Sequence, residues 1–517
     1  MTDKKKLPLS VSEFPRLISE NYIYVDKTQY IHKMLVQGGA FFLSRPRRFG
    51  KSLLVSTLKE IFLGNRELFK GYWIYDRIQW QKYTVLHLDF LRVYHDKLGI
   101  DKSLANTLNR IANEHGVQCD GDNNSERFDD LIRKLAKDKP IVILIDEYDK
   151  PITEYIENVK KAEEHRNALE SFFSVLKSQS QYIHFLFITG VTRYTRQSYP
   201  LLPNHLVDLT FHKDYVPLLG YTTEEIEANF HEYIGDYVQK NVEKVPGYGR
   251  EEWFKQLQEK YYGYSWDGKT FVYNPISIVH FFYYQEFKSF WFSTGSPTLL
   301  VRLARATGFD VRAWEELEVT KQFFDKFDIS NINLNLLLFQ TGYLTIQKND
   351  GDINTLSYPN REVEEGLLYY LVEEFSGQNI YGNLTDALKE SLEKNDINGF
   401  IDKMKSFLAA IPYPLVTGDV EKYYHLVFYL VLKLAMGKVH PEHFSNRGRM
   451  DMVIETDHYI YILEFKMDSA ARALKQINDK AYYEQYLDRS KTIILIGIGF
   501  SQEQRNIADY VHTEIRS

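Results

Sequence analysis

The sequence predicts an α/β protein in three parts: a parallel-sheet domain over 1–215, a mainly helical lid or linking region with short strands over 216–410, and a compact second α/β domain over 411–517. Three observations carry this reading. In the first part apolar runs alternate with stretches of helical periodicity, the pattern of a parallel sheet with crossover helices. Helical periodicity dominates the second part. In the third, two apolar runs flank a short turn and lead into a helix and a further strand. A chain of 517 residues is in any case too long for one ordinary core, so several domains are expected.

Taken in order, strands are expected at Ala40–Ser44, Tyr83–Phe90, Ile141–Asp146 and Tyr182–Val191, each rich in the β-branched and aromatic residues that pack on a pleated surface. A helix opens at Leu53. Beyond Pro217 the pattern turns helical, broken by the turn-rich aromatic segment Tyr261–Pro275 and by a short strand at Thr341–Ile346. The aromatic set from Tyr262 to Trp266 reads as core packing before base stacking. After the two prolines of Ile411–Val416 comes a long apolar helix over Glu421–Gly437. It is followed by strands at Arg449–Thr456 and Tyr459–Met467 around a turn at Asp457-His458, a helix from Ser469 to Leu487, and a strand over Lys491–Phe500.

Composition narrows the function classes. A single cysteine, Cys119, excludes an internal disulfide framework and a cysteine-based zinc site, which suits a reducing, cytoplasmic setting. The basic start lacks an apolar segment behind it, and no run approaches the roughly 18 apolar residues of a membrane helix, so secretion and membrane partners are not expected. The net charge of −7 argues against a uniformly basic surface but leaves room for a local basic groove. From Glu421 onward acidic and basic side chains balance. The histidines show no metal-ligand spacing.

The segment Arg45–Ser52 lies between a strand and a helix, the setting of a phosphate-binding loop. Backbone N–H groups and the helix N-terminus would cradle phosphate oxygens, with Gly50 at the turn, Lys51 on the β- and γ-phosphates and the Ser52 hydroxyl on Mg²⁺. Arg45 stands where the first glycine of such a loop belongs. The strand ending in Asp146-Glu147 supplies a second element: Asp146 to hold Mg²⁺ through its water shell and Glu147 to place a carboxylate beside an attacking water. Arg193, at the end of the next strand, could sense the γ-phosphate or be a solvated loop arginine.

The C-terminal hairpin gives a register. If the turn centres on Asp457-His458, Asp451 lies opposite Glu464 on one face of the sheet, and Lys466 projects from that face too. Facing carboxylates repel unless a cation sits between them. Oxygen ligands without His or Cys favour Mg²⁺ or Mn²⁺, and the lysine could orient a water or stabilise charge on a phosphate. These parts suit phosphodiester hydrolysis. A surface salt bridge of Lys466 is the duller alternative. Arg447 and Arg449 could meet phosphates or simply be solvated.

Taken together, YVDKT, SRPRRFGKS, LIDEYD, ITGVTR, YGYSWDG with VYNP, NRGRMD, YILEFK and ALKQI resemble, in order and across nearly the whole chain, bacterial proteins with an AAA-ATPase-like N-terminal domain and a C-terminal nuclease domain of the PD-(D/E)xK superfamily. Members similarly carry RPRRFGKS in place of a full Gly-rich loop. The resemblance implies a restriction-endonuclease-like C-terminal fold and ATP as the nucleotide, with Asp26, Lys27 and Thr28 at the base. It also implies Asp451 and Glu464 as metal ligands, Lys466 as the catalytic lysine, and Glu421, Glu442 and Gln476 as further members of the nuclease site. Nucleic acid, DNA before RNA, is the implied partner, and a homo-oligomer is compatible with the architecture.

Two functions of different class follow. One is an ATP-binding and ATP-hydrolysing protein coupled to a Mg²⁺-dependent nuclease, which by fold analogy suits defence against foreign DNA. The other is a nucleotide-dependent switch whose nuclease-like domain binds nucleic acid or a protein without cleaving. A protein-remodelling ATPase ranks third, for want of a substrate-gripping loop.

Overall fold

A computed structural model describes residues 4–93, 98–194, 202, 205–242, 244, 247–294, 297–308, 310–325, 328–329, 331–379, 382–416, 420–437, 439–441, 444–445, 448–467 and 469–515. Contacts divide the chain into two compact units, Met1–Ser296 with Ala313–Glu364, and Pro297–Arg312 with Glu365–Ser517. The region expected over 216–410 is therefore divided between them. Segment 297–312 belongs to the second unit through contacts distant in sequence: the Arg305 guanidinium donates to the carbonyls of Glu374 (2.7 Å) and Leu415 (3.3 Å).

The first unit is built on a five-stranded parallel sheet of β1 (Gly39–Ser44), β2 (Val85–Asp89), β3 (Ile141–Asp146), β4 (Ile183–Gly190) and β5 (Val207–Asp208), ordered β2-β3-β4-β1-β5. β3 is buried along its whole length, as a central parallel strand covered on both faces must be. Because all strands run the same way, their carboxyl ends share one edge. There Asp89 pairs in register with Asp146, and Ser44 with Gly190. The two-residue β5 beside β1 is announced by no apolar run.

The rest of this unit is helical around Phe230, Trp253, Phe281 and Phe282, all buried. Fully burying such side chains contributes about 1.5–3 kcal/mol each. It also holds a two-stranded sheet of β6 (Tyr262–Tyr264) and β7 (Val272–Tyr273), and an antiparallel sheet of β8 (Leu317–Thr320), β9 (Thr345–Asp350) and β10 (Ile353–Ser357) ordered β8-β10-β9. Tyr264 and Trp266 are buried, so the aromatic motif is core, as expected.

The second unit carries a mixed sheet ordered β11-β14-β15-β16-β17: β11 (Val439–Pro441), β14 (Met452–Glu455), β15 (Tyr459–Met467), β16 (Thr492–Ser501) and β17 (Asn506–Ile515). A small ribbon, β12 (Phe444–Ser445) with β13 (Gly448–Arg449), lies between the first two in sequence. β15 and β16 are parallel, and the helix Ala470–Lys480 lies between them in sequence. The helix Val420–Met436 covers one face, packing Phe428 on Phe465 and Phe500. The helix Ala470–Lys480 covers the face of Ile460 and Ile462, through Ile477. This helix is shorter than expected. Ala481 turns left-handed (φ 47°) and a 3-10 turn, Tyr482–Tyr486, takes over. Among the described residues no helix is long and apolar enough to cross a membrane.

Candidate nucleotide and metal sites

In the first unit the β1 strand delivers the chain into the loop Arg45–Gly50, and Gly50 (φ 98°) makes the left-handed turn from which the helix Lys51–Phe62 starts. That conformation is what a glycine supplies at no steric cost. The helix N-terminus, with its unpaired N–H groups, faces a cavity of about 520 Å³ whose lining includes Arg47, Arg48, Lys51, Ser52 and Glu147. Val11, Val25, Tyr221, Ile276 and Val279 add apolar surface to the lining. The cavity offers cations for phosphates and apolar surface for a flat ring.

Lys51 is almost wholly buried. Its Nζ donates to the carbonyls of Arg45 and Pro46, both at 3.1 Å, and lies 3.2 Å from Glu147 Oε1. Glu147 itself adopts a left-handed backbone (φ 52°), unusual for a residue with a side chain. Asp146 is 3% exposed, and burial pushes its carboxyl up to about 7 against the favourable Ser52 hydroxyl bond. Its Oδ1 has no hydrogen-bond partner. A buried, partnerless carboxylate oxygen beside the Ser52 hydroxyl is the donor set a hard divalent cation takes, so these residues fit Mg²⁺.

Two residues assigned to this site from the sequence have other partners. Asp26 does not line the cavity. Its carboxylate accepts from Thr28 N (2.8 Å), Thr28 Oγ1 (2.6 Å) and Trp73 N (2.6 Å), fixing the start of the helix Thr28–Gln37. Arg193 is held by Asp208 (2.5 Å) and Asp325 (2.7 Å) and is not among the residues lining the cavity. Of the three residues placed at the base, Lys27 lines the cavity and Asp26 and Thr28 do not, while Arg47 and Arg48, not singled out by sequence, line it too. Lys27 is anchored by Glu225 (2.5 Å) and the Pro217 carbonyl (2.8 Å). The repeated basic residues of the loop were the signal for the two arginines.

In the second unit the register is the expected one. Met452 pairs with Leu463, Val453 with Ile462, Ile454 with Tyr461 and Glu455 with Ile460, around the two-residue turn Asp457-His458. The turn is closed by Thr456, whose hydroxyl accepts from Tyr459 N (2.9 Å). Continuing the register sets Asp451 opposite Glu464. Asp451 Oδ2 accepts from Phe465 N at 2.8 Å, which ties its carboxylate to the facing strand.

Glu464 is 1% exposed. Burial, then the Asp451 carboxylate, push its carboxyl up to about 7 against the pull of Lys466. Lys466 Nζ stands 3.3 Å from Glu464 Oε1, which also accepts from the Gln476 amide; Glu464 Oε2 is buried without a partner. Gln476 thus joins the cluster from the helix Ala470–Lys480. Close packing makes this possible, because a side chain on Gly497 would meet Ala470 O at 2.3 Å and Leu474 N at 2.6 Å. Two adjacent carboxylates, one with an oxygen left bare, fit a divalent cation bound by oxygen. Among the described residues no group of three or more His, Cys, Asp or Glu side chains is placed to hold a metal ion.

Glu421 sits in the first turn of the helix Val420–Met436, 3.9 Å from His425. That helix packs on Phe465, which alternates with Glu464 and Lys466 and so faces the other side of β15. Glu442 and Arg447 lie outside the described residues.

A parallel sheet with a phosphate loop, joined to a mixed sheet with facing carboxylates, defines a class that comparison with known proteins confirms. Residues 8–199 match the family described as predicted AAA-ATPase, and residues 419–510 match the PD-(D/E)XK nuclease superfamily. The chain is also 33% identical to the "Uncharacterized protein in vnfD 5'region" of Azotobacter chroococcum mcd 1, over 98% of this chain and 99% of that protein. The chain belongs to this family, which joins an AAA-ATPase-like domain to a PD-(D/E)XK nuclease-like domain.

Proposed function

We propose that the chain hydrolyses ATP at the N-terminal site and cleaves phosphodiester bonds of nucleic acid, DNA first, at the C-terminal one, with Mg²⁺ or Mn²⁺ at both. The observation that carries the nuclease reading is the bare, buried Glu464 Oε2 facing Asp451 with Lys466 alongside. A pure binding domain has no need to bury one carboxylate against another that repels it.

At the C-terminal site Asp451 and Glu464 hold the cation, whose bound form supplies Lewis acidity to a phosphoryl oxygen and a more acidic water. Lys466 places its ammonium where charge develops on the phosphate, and favours the ionised form of Glu464 against burial and Asp451. Gln476 fixes the orientation of the Glu464 carboxylate. At the N-terminal site Ser52 and Asp146 hold Mg²⁺, and Gly50 and Lys51 bind phosphate oxygens. Once the triphosphate draws Lys51 away, Glu147 orients the attacking water. Co-occurrence of both sites on one chain supports nucleotide control of cleavage, and defence against foreign DNA is the biological setting we favour.

The test is purified full-length protein with Mg²⁺ or Mn²⁺, ATP and DNA or RNA substrates. Asp451→Ala and Lys466→Ala are each expected to lower cleavage by at least about a hundredfold while ATP hydrolysis persists. Unchanged cleavage in both variants would sink the assignment. Cation binding at the C-terminal site without any cleavage would favour the switch reading instead.

A further inference from the structure

Arg45 occupies the position where a phosphate loop ordinarily has a glycine, and its side chain is 1% exposed. Its guanidinium lies 3.8 Å from the centre of the Trp266 ring. Its N–H groups donate to the carbonyls of Ser44 and Thr210, both at 2.9 Å, and of Tyr215 at 3.4 Å. Among the described residues its hydrogen-bond acceptors are all main-chain carbonyls. The nearest carboxylates act only at longer range, and they are engaged elsewhere: Asp208 with Arg193, and Asp267 with the N–H groups of Lys269 and Thr270.

The same loop meets the same region twice more. Phe49 packs edge-on against Tyr264 (4.9 Å between centroids) and Trp266 (5.5 Å). Pro46 lies so close to Gly342 that a side chain there would meet its ring at 2.7 Å. The loop therefore takes its shape from a buried cation and an aromatic platform, where a glycine-rich loop takes it from backbone freedom.

A buried guanidinium without a directly paired carboxylate is costly. Burial lowers its pKa to about 9, which leaves it charged at neutral pH. That cost has a use if a polyanion binds on the other side of the loop, since charges separated by protein interact more strongly than across water. We propose that Arg45 is a positioning residue for the nucleotide: it holds the phosphate loop against Trp266 and places a buried positive charge beneath the phosphates. This deepens the ATP reading and rests on it.

The experiment measures binding of ATP, ADP and AMP to the full chain by calorimetry for wild type, Arg45→Met, Arg45→Lys, Trp266→Phe and the Arg45→Met/Trp266→Phe pair. Arg45→Met should weaken ATP by about tenfold or more, and AMP by distinctly less, because a charge effect grows with ligand charge. Arg45→Lys should keep the wild-type preference for ATP over AMP yet weaken all three, since an ammonium supplies the charge without the planar stack. The double variant should bind no worse than Arg45→Met alone. Wild-type ATP affinity in Arg45→Met, equal losses for ATP and AMP, or additive losses in the double variant would each overturn the proposal. Should Arg45→Met fail to fold, Arg45→Lys decides, and loss of its ATP-over-AMP preference counts against the proposal. A wild-type chain that binds none of the three removes the ATP reading itself.

Discussion

In the function proposed for them the two sites solve one problem, holding phosphate with a cation, from opposite electrostatic starting points. The loop Arg45–Ser52 gathers positive charge in advance: Arg45 buried, Lys51 folded onto the loop carbonyls, Arg47 and Arg48 lining the cavity. The hairpin of the second unit gathers negative charge, Asp451 against Glu464, with Lys466 beside it. The first site is complementary to the substrate as built. The second is complementary to a metal, and only through the metal to a phosphate. One also depends on a turn at a helix start, which tolerates changes in the strands around it, whereas the other depends on strand register, which does not.

The comparison breaks most visibly in activity. Lys51→Met removes the cation that the loop holds ready and should lower ATP turnover by about a hundredfold or more. Manganese affinity at the C-terminal site, measured by calorimetry, should stay as in wild type, and a parallel loss there would mean the two sites are not separate. A smaller effect comes from packing. Gly497→Ala adds a methyl where Ala470 O and Leu474 N already stand, and should destabilise the second unit by about 1–3 kcal/mol in urea unfolding. The unfolding transition of the first unit should not move.

The smallest effect tests the sign of the charge balance. Glu464 has its carboxyl raised towards 7 in the folded protein, so its ionisation opposes folding as pH rises above the ordinary value of 4.5. Asp451→Asn keeps an oxygen for Phe465 N but removes the repulsion. In chelator at pH 8 the variant should be more stable than wild type by about 1 kcal/mol, with the gain gone at pH 5, where Glu464 is protonated in both. The same variant should lose metal affinity. Equal stability at the two pH values would show that the carboxylates do not interact.

Much of this was legible in the sequence where local pattern decides structure. The four long strands of the first sheet, the helix Val420–Met436 and the hairpin register follow from apolar periodicity and from a turn whose length fixes the pairing. What escaped depends on distant partners. β5 is two residues long and exists because Phe41 and Phe42 offer it an edge. The last strand, Asn506–Ile515, is only partly buried and carries mixed polar residues, so it lacks the apolar run of its neighbours. The contacts of Asp26 with Trp73 and of Arg193 with Asp325 join residues that no spacing rule brings together. The same holds for Trp266 under Arg45.

The two-residue turn at Asp457-His458 acts as a parity check on the C-terminal site. Side chains alternate along β14 and β15, so the face on which Asp451 emerges depends on whether the count of residues between it and Glu464 is even or odd. Sequence drift by substitution leaves that count untouched, and even the turn residues themselves can change. Insertion or loss of a single residue sends one carboxylate to the far side of the sheet. Inheritance of this site is therefore tolerant of spelling and intolerant of length.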